Sequence, residues 1–120
     1  MEEQGEEREE RGVHNPRVID LITEDQASGE VVLVMLEERP WQSAPAQLRE
    51  LEAKFNVYLE YVLGGHLAAQ YPQYAGCRVR FQLDCAENPR PADSAFFNAM
   101  ANFAAGENIR LVVNVMQRGS

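Results

Sequence analysis

Two stretches of the chain alternate apolar and polar side chains, and together they gather most of the groups able to recognise an anion. In residues 77–85, Cys77, Val79, Phe81, Leu83 and Cys85 share one parity, and Arg78, Arg80, Gln82 and Asp84 share the other. In residues 109–115, Ile109, Leu111, Val113 and Val115 alternate with Arg110, Val112 and Asn114. Successive side chains of a strand point to opposite faces, so each stretch should turn its apolar set to a core and its polar set to water. If the two strands are neighbours, Arg78, Arg80 and Arg110 meet on one face with Asp84 and Asn114 beside them. A guanidinium is a planar fork of donors that fits a carboxylate or a phosphate. That face is a candidate site for an acidic partner segment or a small anion, and the acidic tail of the same chain could fold over it. The bland alternative is a set of solvated charges on an open sheet face.

Catalytic chemistry has little to work with. His14 stands beside a charged tail, His66 follows Gly64-Gly65, and no acid or nucleophile is placed next to either by spacing. The chain contains no C-x-x-C, H-E-x-x-H, G-x-S-x-G, G-x-x-x-x-G-K-S or G-x-G-x-x-G. Two histidines and two cysteines so placed argue against a zinc site, and no metal or other cofactor is expected. If Cys77 and Cys85 lie on one strand they are about 27 Å apart. A disulfide needs Cα atoms within about 7 Å, so they are expected to be two buried free thiols that suit a reducing cytoplasm. Tyr58, Tyr61, Tyr71 and Tyr74 gather near His66 and either line a small pocket or pack as aromatics at a helix end.

The elements that must position these groups can be read in order. Residues 1–12 hold six glutamates against Arg8 and Arg11, half of the chain's net charge of −8, and no large apolar side chain except Met1. Such a segment cannot offset its ordering entropy and is expected to be a disordered acidic tail. Residues 13–118 form one domain, with 45% hydrophobic and 25% charged residues overall, the ordinary globular balance. Val18–Thr23 reads as a strand, followed by turn residues 24–29 and a doubly apolar strand over Glu30–Leu36. Ser43 is a candidate N-cap with Pro45 in the first turn. Leu48, Leu51, Phe55, Leu59 and Val62 then repeat at helical spacing, with Glu50, Glu52, Lys54 and Glu60 off the stripe. Gly64-Gly65 ends this helix, and a short turn runs on until Pro72. After the strand at 77–85, Asp93 or Ser94 caps a second helix that carries Phe96, Phe97, Met100, Phe103 and Ala104 up to Gly106. The order is ββαβαβ. Right-handed crossovers place both helices on one face of a four-stranded mixed sheet, an α+β two-layer sandwich with its first strand antiparallel and the rest parallel. Strand order is not legible.

The open face must also carry either Val32, Val34 and Leu36 or Val31, Leu33 and Met35. An apolar stripe flanked by arginines has the layout of a partner or self-association surface. Trp41 is expected either to cover it as a lid or to stand out as an exposed contact. Net negative charge disfavours nucleic acid and anionic membranes, and no run approaches the roughly 18 apolar residues of a membrane span or the apolar core of a signal peptide. The arginine and alanine bias, with Lys54 as the sole lysine, points to a GC-rich, bacterial source.

Asn15-Pro16-Arg17-Val18-Ile19-Asp20-Leu21-Ile22, the entry Gly29-Glu30-Val31-Val32-Leu33, and Asn56-Val57-Tyr58-Leu59 with Tyr71-Pro72 and Gly76 resemble a family of small bacterial proteins known only as a domain of unknown function. The resemblance spans residues 15–115. It implies a compact cytoplasmic α+β domain and carries no activity or site residues. The function expected from the residues is a non-enzymatic interaction module working through the open sheet face, with a protein partner or a second copy of the chain. The alternative is a small-anion or small-molecule binding protein or minor enzyme.

Overall fold

The computed structural model describes residues 10–42 and 45–116. The disorder expected of residues 1–9 and the cap expected at Ser43 lie outside these. Residues 10–12, grouped with the tail by composition, belong to the folded part. Gly12 is buried, and its N–H donates to Asp20 Oδ1 at 3.0 Å.

The chain folds as α+β, with β1 (Leu21–Glu24), β2 (Val31–Glu37), α1 (Pro45–Leu63), α2 (His66–Gln70), β3 (Val79–Cys85), α3 (Ser94–Gly106) and β4 (Ile109–Val115). Short 3-10 turns at Pro72–Tyr74 and Pro91–Asp93 lead into β3 and α3. The sheet has the order β1-β2-β3-β4. β1 is antiparallel to β2, while β2, β3 and β4 are mutually parallel. This is the expected mixed sheet, with strands consecutive in sequence lying side by side.

One sheet face holds Ile22, Val31, Leu33, Met35, Val79, Phe81, Leu83, Cys85, Ile109 and Leu111. Leu51, Phe55, Tyr58 and Leu59 of α1, Leu67 of α2, and Phe97, Met100 and Ala104 of α3 close over it. Helix spacing therefore puts α1 and α3 on the same face, as the crossovers require. Phe81 sits at the centre. Its ring is edge-on to both Phe55 and Tyr58, at centroid distances of 6.0 and 5.6 Å, a favoured aromatic geometry. Gly65, at φ 88°, supplies the left-handed turn that separates α1 from α2.

Three expectations need correction. The first strand starts at Leu21 rather than Val18, because Asp20 leaves the ladder to use its carboxylate, as described below. The third strand starts at Val79, so Cys77 is off the strand and exposed, while Cys85 is the buried thiol. Lys54, assigned to the solvated side of α1, is fully buried.

Candidate functional site

The neighbouring placement of β3 and β4 brings the arginines together. Arg80 stands opposite Arg110, Gln82 opposite Val112, and Asp84 opposite Asn114. Arg78 lies one residue before β3, and its Nη2 donates to Ser28 C=O at 3.2 Å. The residue that organises the cluster was not singled out by sequence reasoning: Glu30, just before β2. Its carboxylate accepts Arg110 Nε at 3.0 Å and Nη2 at 2.8 Å, and Arg80 Nη1 at 2.9 Å. Arg80 Nη1 also donates to Asp25 Oδ2 at 2.8 Å.

The β1–β2 loop presents both acids. Asp25 Oδ1 accepts the Ala27 N–H at 3.0 Å, and Ser28 Oγ donates to Glu30 Oε1 at 3.0 Å. Arg110's hydrogen bonds hold the Glu30 carboxyl down at about 2, against the opposing effect of burial. Asp25 is lowered too, by Arg80's hydrogen bond first and the Ala27 N–H second. Two guanidiniums thus engage two carboxylates, and the third, Arg78, is held beside them by the Ser28 carbonyl. Arg110 stays accessible, with 56% of its side chain exposed, and Arg80 Nε is buried with no hydrogen-bond partner among the described residues.

Asp84 and Asn114 share the face but not the cluster. They lie four positions along the strands from Arg80 and Arg110, roughly 13 Å away. There Asp84 Oδ1 accepts Gln82 Nε2 at 2.9 Å and Asn114 Nδ2 at 3.0 Å. Trp41 is not on this face. Its Nε1 donates to Glu87 C=O at 2.9 Å, and its ring is edge-on to Phe97 at 5.6 Å, so it packs on the helix side and covers nothing on the open face.

The apolar stripe is Val32, Val34 and Leu36, opposite Arg80, Gln82 and Asp84. Val32 and Val34 are only 3% exposed, so most of the stripe is a closed floor rather than an open patch. The accessible apolar surface of this face is at exposed Leu21 and half-buried Leu36 and Val112.

A second polar cluster escaped sequence reasoning because charge was read as exposure. Lys54 Nζ donates to Asn15 C=O and Val18 C=O, both at 2.6 Å, and to Asp20 Oδ1 at 2.8 Å. All three ammonium donors are thereby satisfied. Asp20 Oδ2 accepts the Leu36 N–H at 2.9 Å. The Tyr58 hydroxyl accepts the Asp20 N–H at 2.8 Å and donates to Val34 C=O at 2.6 Å. Burial above all, with the Asp20 charge adding, pushes the Tyr58 hydroxyl well above the usual phenol range. The signal was present in the spacing: Gln47, Leu51, Lys54 and Tyr58 recur at helical intervals, and all are buried.

A third cluster closes the end of β2. Arg39 donates from Nε to Glu37 Oε1 at 2.9 Å and from Nη2 to Glu37 Oε2 and Glu50 Oε1, both at 2.7 Å. Burial pushes the Glu37 carboxyl up, and the Arg39 fork and backbone N–H outweigh it, leaving it below its usual range. The neighbouring Cys85 thiol is pushed up to about 12, by burial first and then by Glu37 and Asp84, which makes it a poor nucleophile.

The tyrosines do not converge on a site. Tyr58 is in the core, Tyr61 stacks on His66 and bonds Gln70, and Tyr71 packs against Tyr74. His14 bonds Glu10 at 2.9 Å. Among the described residues, no three His, Cys, Asp or Glu side chains are grouped so as to hold a metal ion, and no helix is long and apolar enough to cross a membrane. Between α1 and α3 runs an open groove of about 260 Å³, floored by Phe55, Phe96, Met100 and Phe103 with Glu52 and Asn56 among its lining residues.

No curated protein and no solved structure matches the chain. A family model does, over residues 12–117, nearly the whole folded part. The chain therefore belongs to that family, described as a family of unknown function (DUF6572).

Proposed function

We propose that this domain is a non-enzymatic, cytoplasmic protein-interaction module whose contact surface is the open sheet face, and that its partner presents an acidic segment. The observation that supports this is the clamp at the start of the parallel strands. Glu30 fixes Arg80 and Arg110 in a set geometry, while Arg110 and Arg78 keep accessible N–H groups. A cluster with one more guanidinium than carboxylate is a local positive site on a chain of net charge −8. It attracts a carboxylate-bearing segment, while the rest of the surface repels nucleic acid.

The groups a catalyst would use are engaged elsewhere: Asp20 with Lys54, and Glu37 with Arg39. A free small anion is the weaker reading. The groove of about 280 Å³ beside Arg78 and Arg110 is also lined by Glu30, whose charge opposes any anion there, and only an extended segment can offset that by contacts outside the groove.

Titration of the labelled domain with a hexaglutamate peptide at low salt tests the reading by NMR. Shifts should centre on Arg78, Arg80 and Arg110, fade with added salt, and vanish in an Arg78→Ala/Arg110→Ala variant. Shifts scattered over the helices would refute it. A rise in melting temperature with inorganic phosphate but none with the peptide would move the assignment to a small anion.

A further inference from the structure

The two edges of the sheet are finished differently, and the difference assigns a partner to one of them. At the β1 edge the exposed strand is four residues long. Where it stops, Val34 C=O, Leu36 N–H and Leu36 C=O of β2 are taken by the Tyr58 hydroxyl, the Asp20 carboxylate and the Val13 N–H. At the other edge, β4 runs for seven residues as Ile-Arg-Leu-Val-Val-Asn-Val. One side pairs with β3 along its whole length, and no described residue pairs with the other.

Folded proteins blunt such an edge with lysine, proline, a bulge or a covering segment, because a row of free N–H and C=O groups templates another strand. β4 has no lysine, proline or bulge within its length, and no segment among the described residues pairs along its outer edge. Its single charge, Arg110, is directed to Glu30, and Val113 remains 37% exposed.

We infer that β4 pairs antiparallel with β4 of a second copy, about a two-fold axis through Val112, to give a continuous eight-stranded sheet. Antiparallel neighbours place opposing side chains on the same face, so a two-fold pairing keeps each copy's helix face on one side. Centred on Val112, Ile109 opposes Val115 and Leu111 opposes Val113 on the helix face. On the open face Arg110 opposes Asn114, and the two Val112 side chains meet. Apolar groups therefore meet apolar groups along the full strand, and no like charges are opposed. Centring two residues earlier would set Arg110 against Arg110, and centring on Leu111 would leave part of each strand unpaired.

α3 permits the approach. Phe96, Ala99, Met100 and Phe103 line the groove towards α1, so the opposite flank by helical spacing is Ser94, Asn98, Ala101 and Ala105, all short side chains. Two α3 helices can thus come close across the axis. Each copy carries −8, so the association should strengthen as salt screens the repulsion. This is the opposite salt response from binding of an acidic segment at the arginine clamp, which is a separate reading.

The test is sedimentation of the full chain over a micromolar concentration series, together with oxidative crosslinking. The chain should be dimeric at physiological salt and shift towards monomer at low salt. Val112→Lys, which places two ammonium groups at the axis, should be monomeric with an unchanged circular dichroism spectrum. In a Cys77→Ser background, Val112→Cys should form a disulfide-linked dimer readily, because residues facing each other across the axis have Cβ atoms about 5 Å apart. Asn114→Cys should not, because it faces position 110. A monomer at every concentration and salt, or crosslinking as efficient at position 114 as at 112, overturns the pairing. Hexaglutamate binding that persists in such a monomer would leave the arginine clamp reading intact.

Discussion

Two charge clusters grip β2 from opposite ends, and they use similar chemistry to different effect. At the carboxyl half, Asp20, Lys54 and Tyr58 are buried, and their hydrogen bonds end on backbone groups of β2 and of the segment before β1. They stand in for a strand that is not there. Burying a lone carboxylate or ammonium costs several kcal/mol, so such a pair persists only when each group is fully hydrogen-bonded, as here. At the amino end, Glu30 joins Arg80 and Arg110 across three strands, but Arg110 stays in water. Screening weakens that grip and leaves donors free. One cluster completes the fold, and the other ties three strands together while keeping the Arg110 guanidinium exposed.

The contrast can be broken by substitution. The largest effect is expected from Lys54→Met, which leaves the buried Asp20 carboxylate without its counter-ion, held by the Gly12 and Leu36 N–H groups alone, and takes the ammonium donor from two backbone carbonyls. Stability should fall by about 3–5 kcal/mol, read from the urea midpoint with an unchanged slope. A loss below about 1 kcal/mol would mean that water reaches the site. Tyr58→Phe keeps the ring against Phe81 but removes the bridge between the Asp20 N–H and Val34 C=O, and should cost about 1–3 kcal/mol in the same assay.

Glu30→Gln should cost least, roughly 1 kcal/mol at neutral pH, because its partners are partly solvated. It sharpens the comparison through pH. The Glu30 carboxyl lies at about 2 in the fold against an ordinary 4.5, so its contribution is complete above about 4.5 and is lost as pH falls towards 2. The gap between wild type and Glu30→Gln in urea midpoint should therefore narrow over that window. A gap that stays constant from pH 7 to 2 would show that the carboxylate's charge is not what Arg80 and Arg110 respond to.

Much of the fold was legible because period and composition report burial directly. The alternation in 77–85 and 109–115 gave both strands and both faces, with the first of them two residues too long at its start, and the α1 stripe gave the helix. Placement of the arginines on one face followed from parity, but their partners did not. Glu30 and Asp25 sit in turn chemistry that reads only as a loop, and they reach Arg80 and Arg110 from 50 to 80 residues away in sequence. Lys54 was misplaced because its charge outweighed its spacing. Asp20 was placed within a strand by its apolar neighbours, although its carboxylate acts as the ladder partner. Trp41 carried no positional signal; contact with Phe97 and Glu87 decides its side of the sheet.

Local pattern alone settled the class of fold, the order of elements, the inward and outward sets of the last two strands, and the surplus of negative charge, since each depends on near neighbours or on totals. Strand order, the neutralisation of the arginines, the burial of Lys54 and the finish of each sheet edge were decided only in three dimensions. Each rests on hydrogen-bond partners remote in sequence, and a buried charge can be recognised only once its partner is in place.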